Sequence, residues 1–220
     1  MNLLVPLYVH PAEDPDAWQR LVPAADRCYG VVVNPASGPG REPDPVYADA
    51  TRALRSAGVR LLGYVDTGYG ERSADEVAAD VVRHRDWYGT DGCFLDRAPS
   101  GTDRLAACRR LVRRVRRLGA GPVVLNPGVH PAPGYARVAD LVVTFEGHWS
   151  TYVADGHRPD RTGRHAPDRF CHLVYGVPEA LVPLAVRTAR SRGAAVCGPV
   201  TGDLPNPWAQ PTPALAGTEG

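Results

Sequence analysis

At 220 residues the chain can bury one substantial core, and its length suits one barrel-sized domain better than two small ones. Its 25 basic and 24 acidic residues leave a net charge of +1, which exerts no general pull on nucleic acid, a membrane surface or a polyanion. Every basic residue is arginine, and the absence of lysine removes Schiff-base aldolase chemistry together with the phosphate-binding lysine of nucleotide hydrolases.

Strand-like apolar runs recur at Leu3 to Val9, Gly30 to Asn34, Arg60 to Asp66, Gly92 to Asp96, Pro122 to Asn126, Leu141 to Glu146, Phe170 to Tyr175 and Ala194 to Val200. Helical spacing lies between them. Val46, Ala50, Ala53, Leu54 and Ala57 form one stripe, and Leu105, Cys108, Leu111, Val112, Val115 and Leu118 another. Ser73-Ala74-Asp75-Glu76 is a capping box, and Pro178-Glu179 suits the first turn of a helix with Leu181, Leu184, Ala185 and Thr188 inward. Gly58, Gly119 and Gly193 stand where a helix must turn into the next strand. Strand–helix alternation implies right-handed crossovers and a parallel sheet, and eight repeats close a barrel. The fold expected is α/β, a single (β/α)8 TIM-type barrel over residues 1–210. Its helices should be degenerate after strands 5 and 6, and a flexible tail should follow at 211–220. An open doubly wound sheet is the rival. It explains less well why polar residues end nearly every strand: His10, Asn34, Asp66, Asp96, Asn126, Glu146, Tyr175 and Thr201.

The stretch from His148 to Pro167 reads as a long excursion rich in Gly, Pro, His and Arg. His148, His157 and His165 within it lack metal-ligand spacing, and no metal or other cofactor is expected. The five cysteines are odd in number and scattered, which suits buried thiols rather than disulfides or a zinc site. The chain opens directly into an apolar run, so a cytoplasmic location is expected for the sequence as given, with secretion the alternative if a leader has been removed.

Two carboxylates on different strand tips are the minimal kit for cleaving a glycosidic bond, one donating a proton to the leaving oxygen and the other attacking or activating water. Asp96 and Glu146 form that pair. Phe145 and Trp149 beside Glu146 are expected to desolvate it and keep it protonated as the acid, while Arg97 beside Asp96 keeps that group ionised as the nucleophile of a retaining mechanism; the exchanged roles and inversion are the alternatives. Tyr8, His10, Asn34, Asp66, Tyr69, Asn126, Trp149, Tyr175 and Trp208 are candidate substrate contacts, the aromatic ones by stacking on sugar faces. Asn34-Pro35-Ala36-Ser37-Gly38-Pro39-Gly40 lacks the G-K-[ST] ending of a phosphate loop and reads as a rigid turn. The arginines from Arg109 to Arg117 occupy the face opposite their apolar partners, as on a solvated outer helix.

Val5-Pro6-Leu7-Tyr8, Asn34 to Gly40, Gly63-Tyr64-Val65-Asp66-Thr67, Phe94-Leu95-Asp96, Leu125-Asn126-Pro127-Gly128, Thr144-Phe145-Glu146 and Leu204-Pro205-Asn206-Pro207-Trp208 occur in an order that resembles the spherulation-specific (spherulin-like) family. The resemblance implies a (β/α) barrel glycoside hydrolase acting on galactosamine or N-acetylgalactosamine linkages, with Asp96 and Glu146 at the positions of the essential acids. Arg97 is added to the substrate contacts because it stands where those hydrolases carry a second acid, which implies an altered glycoside, smaller or anionic. The expected partner is a carbohydrate or small glycoside, with no nucleic acid and no membrane. Two rival readings use the same residues: a carbohydrate-binding barrel without turnover, and a cytoplasmic enzyme acting on a small metabolite.

Overall fold

The computed structural model describes residues 2–154 and 167–216. Eight parallel strands close into a barrel in chain order: β1 (Asn2–Leu7), β2 (Cys28–Val33), β3 (Leu61–Asp66), β4 (Gly92–Asp96), β5 (Val123–Asn126), β6 (Leu141–His148), β7 (Phe170–Tyr175) and β8 (Val196–Pro199). The main outer helices are α2 (Pro45–Ser56), α3 (Ala74–Tyr88), α4 (Leu105–Arg117) and α6 (Val182–Ser191), with short α1 (Pro15–Gln19) after β1. Connections thin out where expected. A single 3-10 turn at Tyr135–Arg137 follows β5, and the short helix α5 (Trp149–Ala154) follows β6. The remainder of the long excursion, residues 155–166 with His157 and His165, lies outside the described residues.

Side chains alternate across each strand. Leu4, Val32, Leu62, Phe94, Val124, Val143 and Leu173 fill the barrel, while Leu95, Val123 and Leu125 face outward against Val77, Val81, Cys108 and Val112 of α3 and α4. Register then fixes height: Asp66, Asp96 and Asn126 are consecutive partners across β3, β4 and β5, at the C-terminal rim. On β6 the pattern shifts. Val143 pairs with Cys171 and Phe145 with His172, so Thr144 is an unopposed extra residue. Such a bulge reverses which face each later side chain takes. Phe145 turns outward onto Tyr152 and Val174, and Glu146, partnered by Leu173, turns into the barrel.

Two of the main helices start at side-chain caps. Ser73 and Glu76 form the reciprocal capping box, and the Asp44 carboxylate accepts from the Tyr47 N–H. Two expected inward stripes are displaced. On α2 the buried residues are Tyr47, Thr51 and Leu54, whereas Val46 is exposed, because the helix begins at Pro45 and the bulky Tyr47 ring takes the core position. On α6 a 3-10 turn at Glu179–Leu181 delays the helix, so Val182, Ala185 and Ala189 face inward and Leu181 and Leu184 do not.

The tail also departs from expectation. Residues 211–216 are packed rather than loose: Thr212 is buried, and the Arg27 guanidinium donates to the Ala214 and Leu215 carbonyls at 2.6 and 2.8 Å. Residues 217–220 lie outside the described ones. The guanidinium ties the last described turn to the segment before β2.

Gly92 shows how tightly β4 is set. A Cβ there would stand 2.1 Å from the Pro122 carbonyl oxygen, a backbone atom that cannot swing aside. Gly92→Ala is therefore expected to lose about 3 kcal/mol of stability by overpacking, read from the urea midpoint. An unchanged midpoint would show that the β4–β5 spacing is looser than described.

Candidate functional site

A cavity of about 510 Å³ opens at the C-terminal end of the barrel, and its floor carries Asp96, Asn126 and Glu146. One amide links the two acids. Asn126 Nδ2 donates to Asp96 Oδ1 at 2.7 Å and to Glu146 Oε2 at 2.5 Å, while Asn126 Oδ1 accepts from the Gly128 N–H at 3.0 Å. The Gly128 bond settles the amide orientation, since only the oxygen can accept it, so both N–H groups face carboxylates. Asp96 Oδ2 takes a further donor, the Tyr64 hydroxyl at 2.8 Å.

These partners separate the two acids electrostatically. Burial pushes Glu146 up to about 7, with Asn126 opposing and the Asp96 charge adding to the rise. Burial also raises Asp96, but there the Tyr64 hydroxyl, the Arg97 backbone N–H and the Asn126 amide all oppose it. The better-solvated carboxylate is thus Asp96, and Glu146 is the group that holds a proton near neutrality. The cause differs from that expected on one point. The Arg97 side chain turns away to pair with Asp66 at 2.9 Å and reaches Asp96 through its backbone. Phe145 and Trp149 do not desolvate Glu146 either. Both pack outside the barrel with Tyr152 and Val174, and the cavity wall about Glu146 includes Tyr8, Phe94 and Leu173. Burial and the nearby acids raise Tyr8 well above the ordinary phenol range, and burial likewise raises Tyr64, so both hydroxyls stay protonated.

Tyr8, Tyr69, Arg97, Asn126, Tyr175 and Trp208 line the same cavity as the two acids. Four expected contacts lie elsewhere. His10 accepts from the Ala12 N–H through Nδ1, which leaves Nε2 to donate to Asp44 at 2.9 Å. Asn34 closes its own turn by accepting from the Gly38 N–H. Asp66 accepts from Gly68 N–H and from Arg97, which turns it out of the cavity despite its register with Asp96. Trp149 is core. Tyr64 and Asn206 were not anticipated. Tyr64 lies two residues before the Asp66 tip, so strand alternation could have placed it inside. Asn206 sits in an irregular loop, where its amide donates to the Tyr8 carbonyl at 2.9 Å and no periodic signal marks it.

The wall after β8 is tied to β1: the Tyr8 N–H donates to the Trp208 carbonyl at 2.8 Å, and the Trp208 ring meets Tyr175 edge-on at 6.3 Å. Among the described residues no group of three or more His, Cys, Asp or Glu side chains is placed to hold a metal ion, and no helix is long and apolar enough to cross a membrane.

A sequence model of the spherulation-specific family 4 matches residues 2–197. Spherulin-4 of Physarum polycephalum is 34% identical over 151 residues, which is 66% of this chain and 45% of that relative, so the chain spans less than half of its length. The crystal structure of Aspergillus clavatus Sph3 in complex with GalNAc superposes with a TM-score of 0.81 at 30% identity, covering 98% of this chain and 94% of that one. Deoxyribose phosphate aldolase from Aeropyrum pernix, at 14% identity and a TM-score of 0.57 over 91% of this chain and 85% of its own, shares the barrel fold alone.

The Glu146 shift carries a stability consequence. Between 4.5 and about 7 the folded protein holds a Glu146 proton that the unfolded chain releases, so this group's contribution falls as pH rises through that window. Glu146→Gln cannot titrate. Its stability relative to the parent should therefore increase from pH 5 to pH 8, measured by urea unfolding at each pH. A difference independent of pH would place Glu146 in water rather than in a dry wall.

Proposed function

The chain belongs to the spherulation-specific family 4, and from that premise we propose that it is a glycoside hydrolase cleaving a galactosamine- or N-acetylgalactosamine-type linkage with retention. The observation that carries this reading is the shared Asn126 amide. The acid oxygens it touches cannot lie farther apart than hydrogen bonds of 2.7 and 2.5 Å laid end to end. Two carboxyls drawn onto one nitrogen favour the close spacing of about 5 to 5.5 Å in retaining pairs over the roughly 6.5 to 9.5 Å in inverting ones. The GalNAc bound to Sph3 supports a carbohydrate in this cavity.

In this mechanism Glu146, protonated, gives its proton to the leaving oxygen while Asp96 attacks the anomeric carbon. Glu146, now ionised, then takes a proton from the water that breaks the glycosyl ester. Asn126 and Tyr64, one on each oxygen of Asp96, hold the carboxylate in place and favour its ionised form. Tyr8, Tyr175 and Trp208 offer ring faces and a hydroxyl to the sugar.

The test is a product assay on N-acetylgalactosamine and galactosamine oligomers, with the anomer followed by NMR. Glu146→Gln and Asp96→Asn should each lower kcat by about 10² to 10⁴-fold, and the first product should keep the anomer of the substrate. Full activity in Asp96→Asn, or an inverted product, would overturn the mechanism; binding of the oligomers without turnover by the parent would select a carbohydrate-binding barrel. Because the acid must be protonated, kcat/KM should decline as pH rises above about 7, the range of Glu146. A profile flat to pH 9 would remove Glu146 as the acid.

A further inference from the structure

Beyond the two acids, the cavity rim holds a strained and unusually well-braced cation. Arg97 has φ +48°, a left-handed conformation rare for a side-chain-bearing residue. Its carbonyl is held by the Thr67 hydroxyl at 2.7 Å and the Tyr69 N–H at 2.6 Å. Tyr69 itself has φ +56° and puts its ring under the guanidinium, 4.9 Å from ring centre to Cζ. Two strained residues that grip each other beside a cavity are maintained at a cost, and such strain concentrates where geometry serves a ligand.

The arrangement has a direction. Asp66 takes one N–H of Arg97, and Asp66 is not part of the cavity wall, whereas Arg97 is. A bound molecule therefore meets the cationic end of the ion pair. Arg97 is the only cation among the described residues of that wall, and its side chain is 49% exposed. The remaining N–H groups of its planar fork match two coplanar oxygens.

Resting on the glycosidase reading, we propose that Arg97, braced by Asp66 and Tyr69, is a specificity-determining residue that binds an anionic substituent, carboxylate or sulfate ester, on the sugar adjoining the cleaved linkage. The floor reads hydroxyls and the amide-bearing sugar; the rim reads a negative charge and disfavours a free ammonium.

The experiment compares kcat/KM on neutral N-acetylhexosamine oligomers, their de-N-acetylated forms, and oligomers alternating N-acetylhexosamine with hexuronate, with and without sulfate esters. Arg97→Asn is the main variant, because Asn tolerates the left-handed backbone, and Arg97→Lys keeps the charge without the fork. The parent should favour the anionic oligomers. The anionic-to-neutral ratio should fall roughly tenfold or more in Arg97→Asn, mostly through KM, recover in part in Arg97→Lys, and shrink with added salt. The preferred anion, carboxylate or sulfate, identifies the substituent. A ratio unchanged in Arg97→Asn, or a parent preference for neutral or amine-bearing oligomers, overturns the proposal while leaving hydrolysis intact. If nothing is turned over, the same oligomers are titrated as ligands. An anionic binding preference lost in Arg97→Asn keeps the Arg97 subsite and removes hydrolysis, and no binding at all removes both.

Discussion

Two carboxyl groups facing one cavity repel each other when both are ionised, and burial penalises each charge further. The Asn126 side chain resolves this conflict by placing one N–H on each acid, with its own oxygen pinned by Gly128. The two acids are still not equivalent, because Tyr64 donates to Asp96 alone. One neutral side chain thus brings the pair close while a second decides which member keeps the proton. Removing the amide would leave two buried acceptors short of donors, each at a cost of about 1 to 3 kcal/mol.

That arrangement depends on a local fault in β6. Were the strand regular, Leu141 and Val143 inside would be followed by Phe145 inside and Glu146 outside. The extra residue at Thr144 inverts the sequence of faces, so that the ring joins Tyr152 and Val174 against the outer layer and the carboxyl enters the barrel. A single unpaired residue therefore supplies half of the acid pair.

Much of the barrel could be read from the chain because each apolar run ends in a polar residue and a helical stripe or a cap such as Ser73 marks the segments between. Asp96 and Asn126 could be placed for the same reason, since both end regular strands. Glu146 was legible as a strand tip, but its flanking Phe145 and Trp149 suggested the wrong source of desolvation, because sequence adjacency in a strand means opposite faces. His10 and Asn34 end their strands as polar residues too, yet their side chains are consumed by Asp44, Ala12 and Gly38. Asp66 is turned aside by a turn amide and a guanidinium. Such partnerships depend on rotamers and, for the bonds to Asp44 and Arg97, on contacts 34 and 31 residues apart, which spacing alone does not encode. Tyr64 was hidden by its likeness to ordinary strand filling.

The barrel closes where its two ends meet, β8 against β1, with Asn2 beside Val196 and Leu3 beside Cys197. The cavity wall crosses that same seam, since Tyr8 donates to the carbonyl of Trp208 and Asn206 donates back to Tyr8. Translation therefore delivers the Tyr8 and Trp208 pieces of the wall far apart in time. A nascent chain stopped short of Trp208 carries both acids and their amide but not a finished vessel around them, so the cavity is complete only once the segment after β8 has reached back to Tyr8.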